Sequence, residues 1–150
     1  MTVSIHQTAI IDDGASIGEG VSIGPYCVVG KNVVLGDRVT LHAHVVIEGR
    51  TTLGEDSEVY SFAALGAPPQ HTRYAGEEST LEIGHHCVIR EHVTMHPGTA
   101  IDSMRTSVGN HGLFLVASHV AHDCVVGDHA IFANNASLGG HAKIGNHVMM

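Results

Sequence analysis

Residues 16–35 read "SIGEGVSIGPYCVVGKNVVL", and in this stretch Ile17, Ile23, Val29 and Leu35 fall six residues apart. Two residues before each of the last three stands a small side chain, Val21, Cys27 and Val33. An amphipathic helix would space its apolar residues at three and four, so the period is not helical. On an extended strand, positions two apart share a face. The small residue and the aliphatic residue after it therefore point inward together, with the residue between them outward.

The same period organises most of the chain. Ile5, Ile11, Ile17 and every sixth residue on to Leu65 give eleven apolar residues in eleven steps. The register resumes at Ile83, Ile89 and Met95, then returns one place out of phase from Val108 to Ile144. The fifth position is small in twenty of the twenty-one hexads, and glycine follows the leading apolar residue in eleven. Short strands turning a corner every six residues, with glycine where the backbone bends, predict a parallel β-helix. Three hexads make a triangular coil, so the chain predicts seven coils and a prism roughly 34 Å tall at about 4.8 Å per coil. Residues 1–150 form one such domain. Two stretches break the repeat, 67–82 and 100–107, and insertions in a solenoid become external loops where ligand contacts concentrate. Parallel crossovers are usually right-handed, and the period itself does not fix the hand.

Composition narrows the class. With 18 glycines, no tryptophan, three tyrosines and three phenylalanines against 43% apolar residues, the core is built from small aliphatic side chains. A formal charge of −8 excludes a general binder of nucleic acid or anionic membrane, which needs a basic surface. No basic-plus-apolar leader is visible, and no apolar run approaches bilayer-spanning length, so no membrane insertion is expected. Cys27, Cys87 and Cys124 form no CxxC pair and all fall on inward fifth positions. They read as small buried thiols in a reducing compartment, which points to the cytoplasm.

Chemistry has to come from the 14 histidines. In "HVAHDC", residues 119–124, His122 is the third residue of its hexad and His119 precedes the inward Val120, so both are expected to point outward. One coil later Gly140 stacks over His122, with His141 beside it. The edge thus offers a general base and a backbone N–H as oxyanion donor. Spacing equally allows solvated polar residues in permissive corners, the reading given to His85, His86, His129 and His147. Zinc held by imidazoles on adjacent coils or subunits is a third possibility, although no histidine trio stands out. "HVTMH", His92 to His96, sits in strand context and is not a helical zinc motif.

The stretches "IGPYCVVG", "PQHTRYAGE", "LEIG", "IREHVTMHPGT", "HVAHDC" and "FANNASLGGH" resemble, in content and order, the UDP-N-acetylglucosamine O-acyltransferases of lipid A biosynthesis. These belong to the hexapeptide-repeat acyltransferases. The resemblance implies an all-β, left-handed parallel β-helix and a homotrimer with active sites between subunits. It implies transfer of a 3-hydroxyacyl chain from acyl carrier protein to the 3-hydroxyl of UDP-N-acetylglucosamine, with no cofactor, metal or covalent enzyme intermediate. His122 becomes the catalytic base, Asp123 its orienting partner and Gly140 the oxyanion donor. Gln70, His71, Arg73, His96, His119 and His141 become substrate-binding residues. Where family members commonly carry aspartate and lysine, this chain has His71 and Arg73. The family pattern continues beyond the equivalent of Met150 through further coils and a helical part, which the 150 residues are expected to lack. Two other activities fit the scaffold: an acetyl-CoA-dependent acetyltransferase, against which the "YAGE" loop speaks, and a zinc protein of the gamma carbonic anhydrase type.

Overall fold

The computed structural model describes residues 1–150, which form twenty-one strands and no helix. The strands divide into three parallel seven-stranded sheets, visited in turn by the chain. The first sheet begins at Ser4–Ile5, the second at Ile10–Ile11 and the third at Ser16–Ile17. Most pairings join residues 18 apart, as in Ser4 with Ser22 and Ile5 with Ile23. The result is the left-handed triangular β-helix that the resemblance implied. With no helix, the chain has no helix long and apolar enough to cross a membrane.

The hexad positions occupy the interior as the period requires. Leading residues such as Leu35, Leu41, Ile47, Ile89 and Met95 are fully buried, as are the fifth-position residues Val21, Cys27, Val33, Val39 and Val93. Phe114 and Phe132 stack on consecutive coils with ring centroids 5.0 Å apart. Each large aliphatic side chain buried in this column contributes about 1.5–3 kcal/mol. Burial raises the thiol pKa of all three cysteines, that of Cys87 to about 11, so they are unreactive packing groups.

The corners correct one expectation. The left-handed backbone conformation falls on the fourth residue of the hexad, and fifteen non-glycine residues adopt it, from Tyr26 (φ 58°) to His147 (φ 59°). Histidine, asparagine and aspartate tolerate this region better than other side chains. Seven of the 15 are histidines, namely His44, His86, His92, His111, His129, His141 and His147, so corner geometry accounts for half of the chain's histidines. Glycine after the leading residue serves instead the close stacking of coils. A Cβ on Gly54 would lie 2.5 Å from the carbonyl carbon of Gly84 on the next coil.

Both insertions are shorter than the broken repeat suggested. Thr80–Ile83 and Arg105–Val108 are four-residue strands of the third sheet, stacked on Arg50–Leu53. The pairings Leu53 with Ile83 and Ile83 with Val108 skip extra residues, so both loops leave the helix at the same edge on successive coils. The second skip exceeds a whole hexad by one residue, which produces the change of phase at Val108. That edge carries the candidate site.

Candidate active site

Asp123 organises the site. It occupies a left-handed corner (φ 60°), and its side chain is fully shielded from solvent. Its Oδ1 accepts the backbone N–H of Thr99 at 2.8 Å, and its Oδ2 accepts the Thr99 hydroxyl at 2.5 Å. Oδ2 also lies 2.9 Å from His122 Nδ1. The Asp123 backbone N–H donates to Thr106 Oγ1 at 2.9 Å, fixing the corner itself. Desolvation alone would raise this carboxyl's pKa, but the Thr99 hydrogen bonds and His122 outweigh it and hold the pKa below the usual aspartate range. A carboxylate accepts only, so Nδ1 is the nitrogen of His122 that donates to Asp123, and Nε2 is left without a protein partner.

His122 is only 8% exposed, although it does not belong to the interior column. It is outward from the β-helix core yet enclosed by neighbours. Gly140 packs against its face so closely that a Cβ there would lie 2.5 Å from His122 Cε1 and 2.6 Å from Nε2. The Gly140 backbone N–H donates to no protein acceptor, so it remains available beside Nε2. His71 and His141 meet the His122 ring edge-on from two sides, at centroid distances of 5.0 and 4.9 Å. His141 is tied on by its backbone N–H, which donates to the His122 carbonyl at 3.0 Å, and its Nδ1 lies 2.7 Å from Asp102 Oδ2.

A second histidine pair borders this group. His96 and His119 lie edge-to-face at 5.0 Å, and His119 Nδ1 is 2.7 Å from Thr94 Oγ1. His96 is 6% exposed, with its Nδ1 buried and unpartnered in the protein. Burial, reinforced by His119 and His122, lowers its pKa to about 4, so it is neutral at pH 7. Burial likewise lowers the pKa of His119.

Of the residues expected at the site, His122, Asp123, Gly140, His71 and His141 converge, and His96 and His119 flank them. Gln70 and Arg73 are exposed on the first loop and form no side-chain hydrogen bond or ion pair with the histidines; only the Arg73 backbone N–H donates, to His71 Nδ1 at 3.1 Å. Two participants escaped the sequence reading. Thr99 anchors Asp123, and Glu77 clamps the two loops by accepting the N–H of Ala75 and of Ala100, each at 2.8 Å. Both lie inside quoted stretches, Glu77 ending "YAGE" and Thr99 ending "HPGT". His71, His122 and His141 each offer a ring nitrogen within 4.8 Å of the others, so a cation-sized trio exists here after all.

Fold and site together define a hexapeptide-repeat protein with a histidine–aspartate pair at a coil edge. The sequence matches the family described as bacterial transferase hexapeptide (six repeats) over residues 2–37 and 14–49. It is 57% identical over 139 residues to the acyl-[acyl-carrier-protein]–UDP-N-acetylglucosamine O-acyltransferase of Caulobacter vibrioides, covering 93% of this chain and 53% of that protein. The crystal structure of the Acinetobacter baumannii enzyme superposes with a TM-score of 0.95 at 50% identity, over 97% of this chain and 56% of that one. The UDP-N-acetylglucosamine O-acyltransferase from Moraxella catarrhalis gives 0.94 at 51%, with the same coverage. Over nearly its whole length the chain is similar in sequence and fold to these UDP-N-acetylglucosamine O-acyltransferases, and it spans about half the length of the relatives it matches.

Proposed function

We propose that the protein to which this chain belongs transfers a 3-hydroxyacyl group from acyl carrier protein to the 3-hydroxyl of UDP-N-acetylglucosamine, with His122 as general base. The observation that carries the reading is the Thr99–Asp123–His122 chain of hydrogen bonds, which engages Nδ1 and leaves Nε2 without a protein partner close to Gly140, whose N–H is free. His122 Nε2 takes the proton of the sugar hydroxyl as its oxygen attacks the thioester carbonyl carbon. The buried Asp123 carboxylate stabilises the resulting imidazolium, and the Gly140 N–H faces the carbonyl oxygen as it becomes an oxyanion. Collapse of the tetrahedral intermediate breaks the carbon–sulfur bond, and His122 returns its proton to the departing thiolate. Each turnover leaves the enzyme unchanged and yields the O-acyl sugar and the free thiol of the carrier.

His71, Gln70 and Arg73 on the first loop, with His96, His119 and His141, are the side chains assigned to binding the sugar nucleotide and acyl donor. The His122 group lies on the outer face of the coils, outside the cavities lined by Arg50 and Glu78 under the first loop and by Ser103 and Arg105 at the second. A second copy of the chain would wall that face, which supports a homotrimer with shared sites. The second sheet offers it an outward column of Ile10, Val28, Val46 and Ala64 leading up to Thr94 and His119. The donor and the thiols fit a cytoplasmic enzyme.

The His71–His122–His141 trio favours a second reading, in which the imidazoles hold zinc for hydration chemistry. One experiment separates them: incubate the full-length protein with UDP-N-acetylglucosamine and a 3-hydroxyacyl carrier protein, with and without a chelator, and measure thiol release. Chelator-resistant release that acetyl-CoA cannot replace supports acyl transfer. Release only from acetyl-CoA, or none without metal, contradicts it.

A further inference from the structure

The corner that runs opposite this chemistry carries a different arrangement. His86, His111, His129 and His147 occupy the same left-handed corner on four successive coils and stack face to face, with centroid separations of 4.9, 4.9 and 4.8 Å. The upper two, His129 and His147, have no aromatic partner outside the stack. The lowest rung is unlike the rest, because His85 precedes His86 on the same coil and turns edge-on to both His86 and His111, at 5.0 and 5.2 Å. His85 Nδ1 lies 2.8 Å from His86 Nδ1. One ring nitrogen from each of His85, His86 and His111 falls within 4.8 Å of the other two.

We propose that His85, His86 and His111 form a binding site for a divalent transition-metal cation of the zinc type, separate from the acyl-transfer site and independent of that assignment. A tetrahedral zinc bound at about 2.0–2.1 Å by nitrogen holds its ligand atoms roughly 3.3–3.4 Å apart, so small ring rotations bring the trio onto a common ion. Imidazole selects zinc, copper and nickel over magnesium and calcium, which prefer oxygen. The exposed edges of His86 and His111 leave the fourth position to solvent.

Two features preorganise the trio. The backbone fixes its spacing, since the His111 N–H donates to the His85 carbonyl at 2.9 Å and the His85 N–H to Asn110 Oδ1 at 3.0 Å. On the far side of His86, Nε2 lies 3.6 Å from Asp56 Oδ2, and Arg38 holds that carboxylate through two contacts of 2.8 Å. A carboxylate behind the non-ligating nitrogen orients a metal-bound histidine and raises its basicity. His86 thus presents Nδ1 to the shared space with Asp56 behind Nε2.

The test is equilibrium dialysis of the metal-free 150-residue chain against zinc chloride, with cobalt(II) as a spectroscopic probe. The proposal expects a zinc per chain whose affinity falls at least about tenfold in each of His85→Gln, His86→Asn and His111→Asn. It expects no change in His122→Gln, which disables the other trio, or in His129→Asn, one rung up the stack. Asparagine is chosen at the corners because it tolerates the left-handed backbone. In the unsubstituted chain, zinc should shift the ring-nitrogen resonances of His85, His86 and His111, and cobalt should give the visible absorption of a tetrahedral site. Zinc affinity unchanged by all three substitutions, affinity lost with His122→Gln, or shifts confined to other histidines would overturn the proposal.

Discussion

Thr99 and His122 meet on one oxygen of the Asp123 carboxylate: the Thr99 hydroxyl reaches Oδ2 at 2.5 Å, and His122 Nδ1 reaches the same oxygen at 2.9 Å. Thr99 belongs to the coil below, so the second loop sets the orientation of the imidazole above it. Consequences for activity, for the loop clamp and for stability can be measured.

Asp123→Asn preserves the size of the side chain and can still accept from Thr99 through its amide oxygen. Its NH₂ group, however, would favour the tautomer of His122 that protonates Nε2. Acyl transfer by the full-length protein is expected to fall about 10²- to 10⁴-fold with little change in the KM for the sugar nucleotide. Steady-state kinetics check this, and a change confined to KM would point to a binding role.

Gly140→Ala places a methyl group 2.5 Å from His122 Cε1. The ring is tied to Asp123 and cannot yield without leaving its hydrogen bond. Displacement by even about 1 Å can cost on the order of 10²-fold in rate. The fold should survive, because Gly140 is exposed at a coil edge. Circular dichroism beside turnover separates the two effects.

Glu77→Gln removes one of the two acceptor oxygens that clamp Ala75 and Ala100. The Glu77 carboxyl is held below the usual range first by the Ala100 hydrogen bond and then by that of Ala75, which marks the clamp as ionised. Hydrogen exchange at one of these amides should accelerate in the variant while exchange in the strands does not. Uniform acceleration through the strands would show a global loss of stability instead.

Stability should fall as the medium is acidified from pH 6.5 towards pH 4. The His96 pKa is about 4 in the folded chain against 6.5 for the unperturbed group, so within this window the unfolded chain binds the additional proton. Unfolding is then favoured by on the order of 3 kcal/mol once the window has been crossed. The lowered pKa of His119 acts in the same direction, whereas the lowered carboxyl pKa of Asp123 acts only below the usual aspartate range near 4. Urea unfolding followed across this range, in the unsubstituted chain and in His96→Gln, checks the assignment. The variant should show a flatter profile.

The β-helix is legible in the sequence because the period acts at every coil: each inward position repeats, so a single misread hexad changes nothing. The inserted loops were legible only in outline. Leu81 is large at an inward position that elsewhere takes small residues, so the strand Thr80–Ile83 was read as loop although Leu81 is fully buried. The histidine–aspartate pair was visible as a motif, but burial of His122 was not, since the neighbours that enclose it come from the first loop and from the next coil. Thr99 was hidden differently. It sits on an inward fifth position and reads as a packing residue, and only the stacking of Asp123 above it reveals the hydroxyl's partner. The corner histidines read from spacing only as solvated polar residues in permissive corners, and the left-handed backbone angles give the specific cause.

The most direct test is the single-turnover rate of acyl transfer by the full-length protein carrying His122→Ala, measured with saturating 3-hydroxyacyl carrier protein and UDP-N-acetylglucosamine. His122 is enclosed, so a thermal unfolding curve must accompany the rate to show that the variant is folded at the assay temperature. The account expects a folded protein whose rate is lower by about 10²- to 10⁴-fold or more. A folded variant that transfers the acyl group at close to the unsubstituted rate would contradict the assignment of His122 as the base.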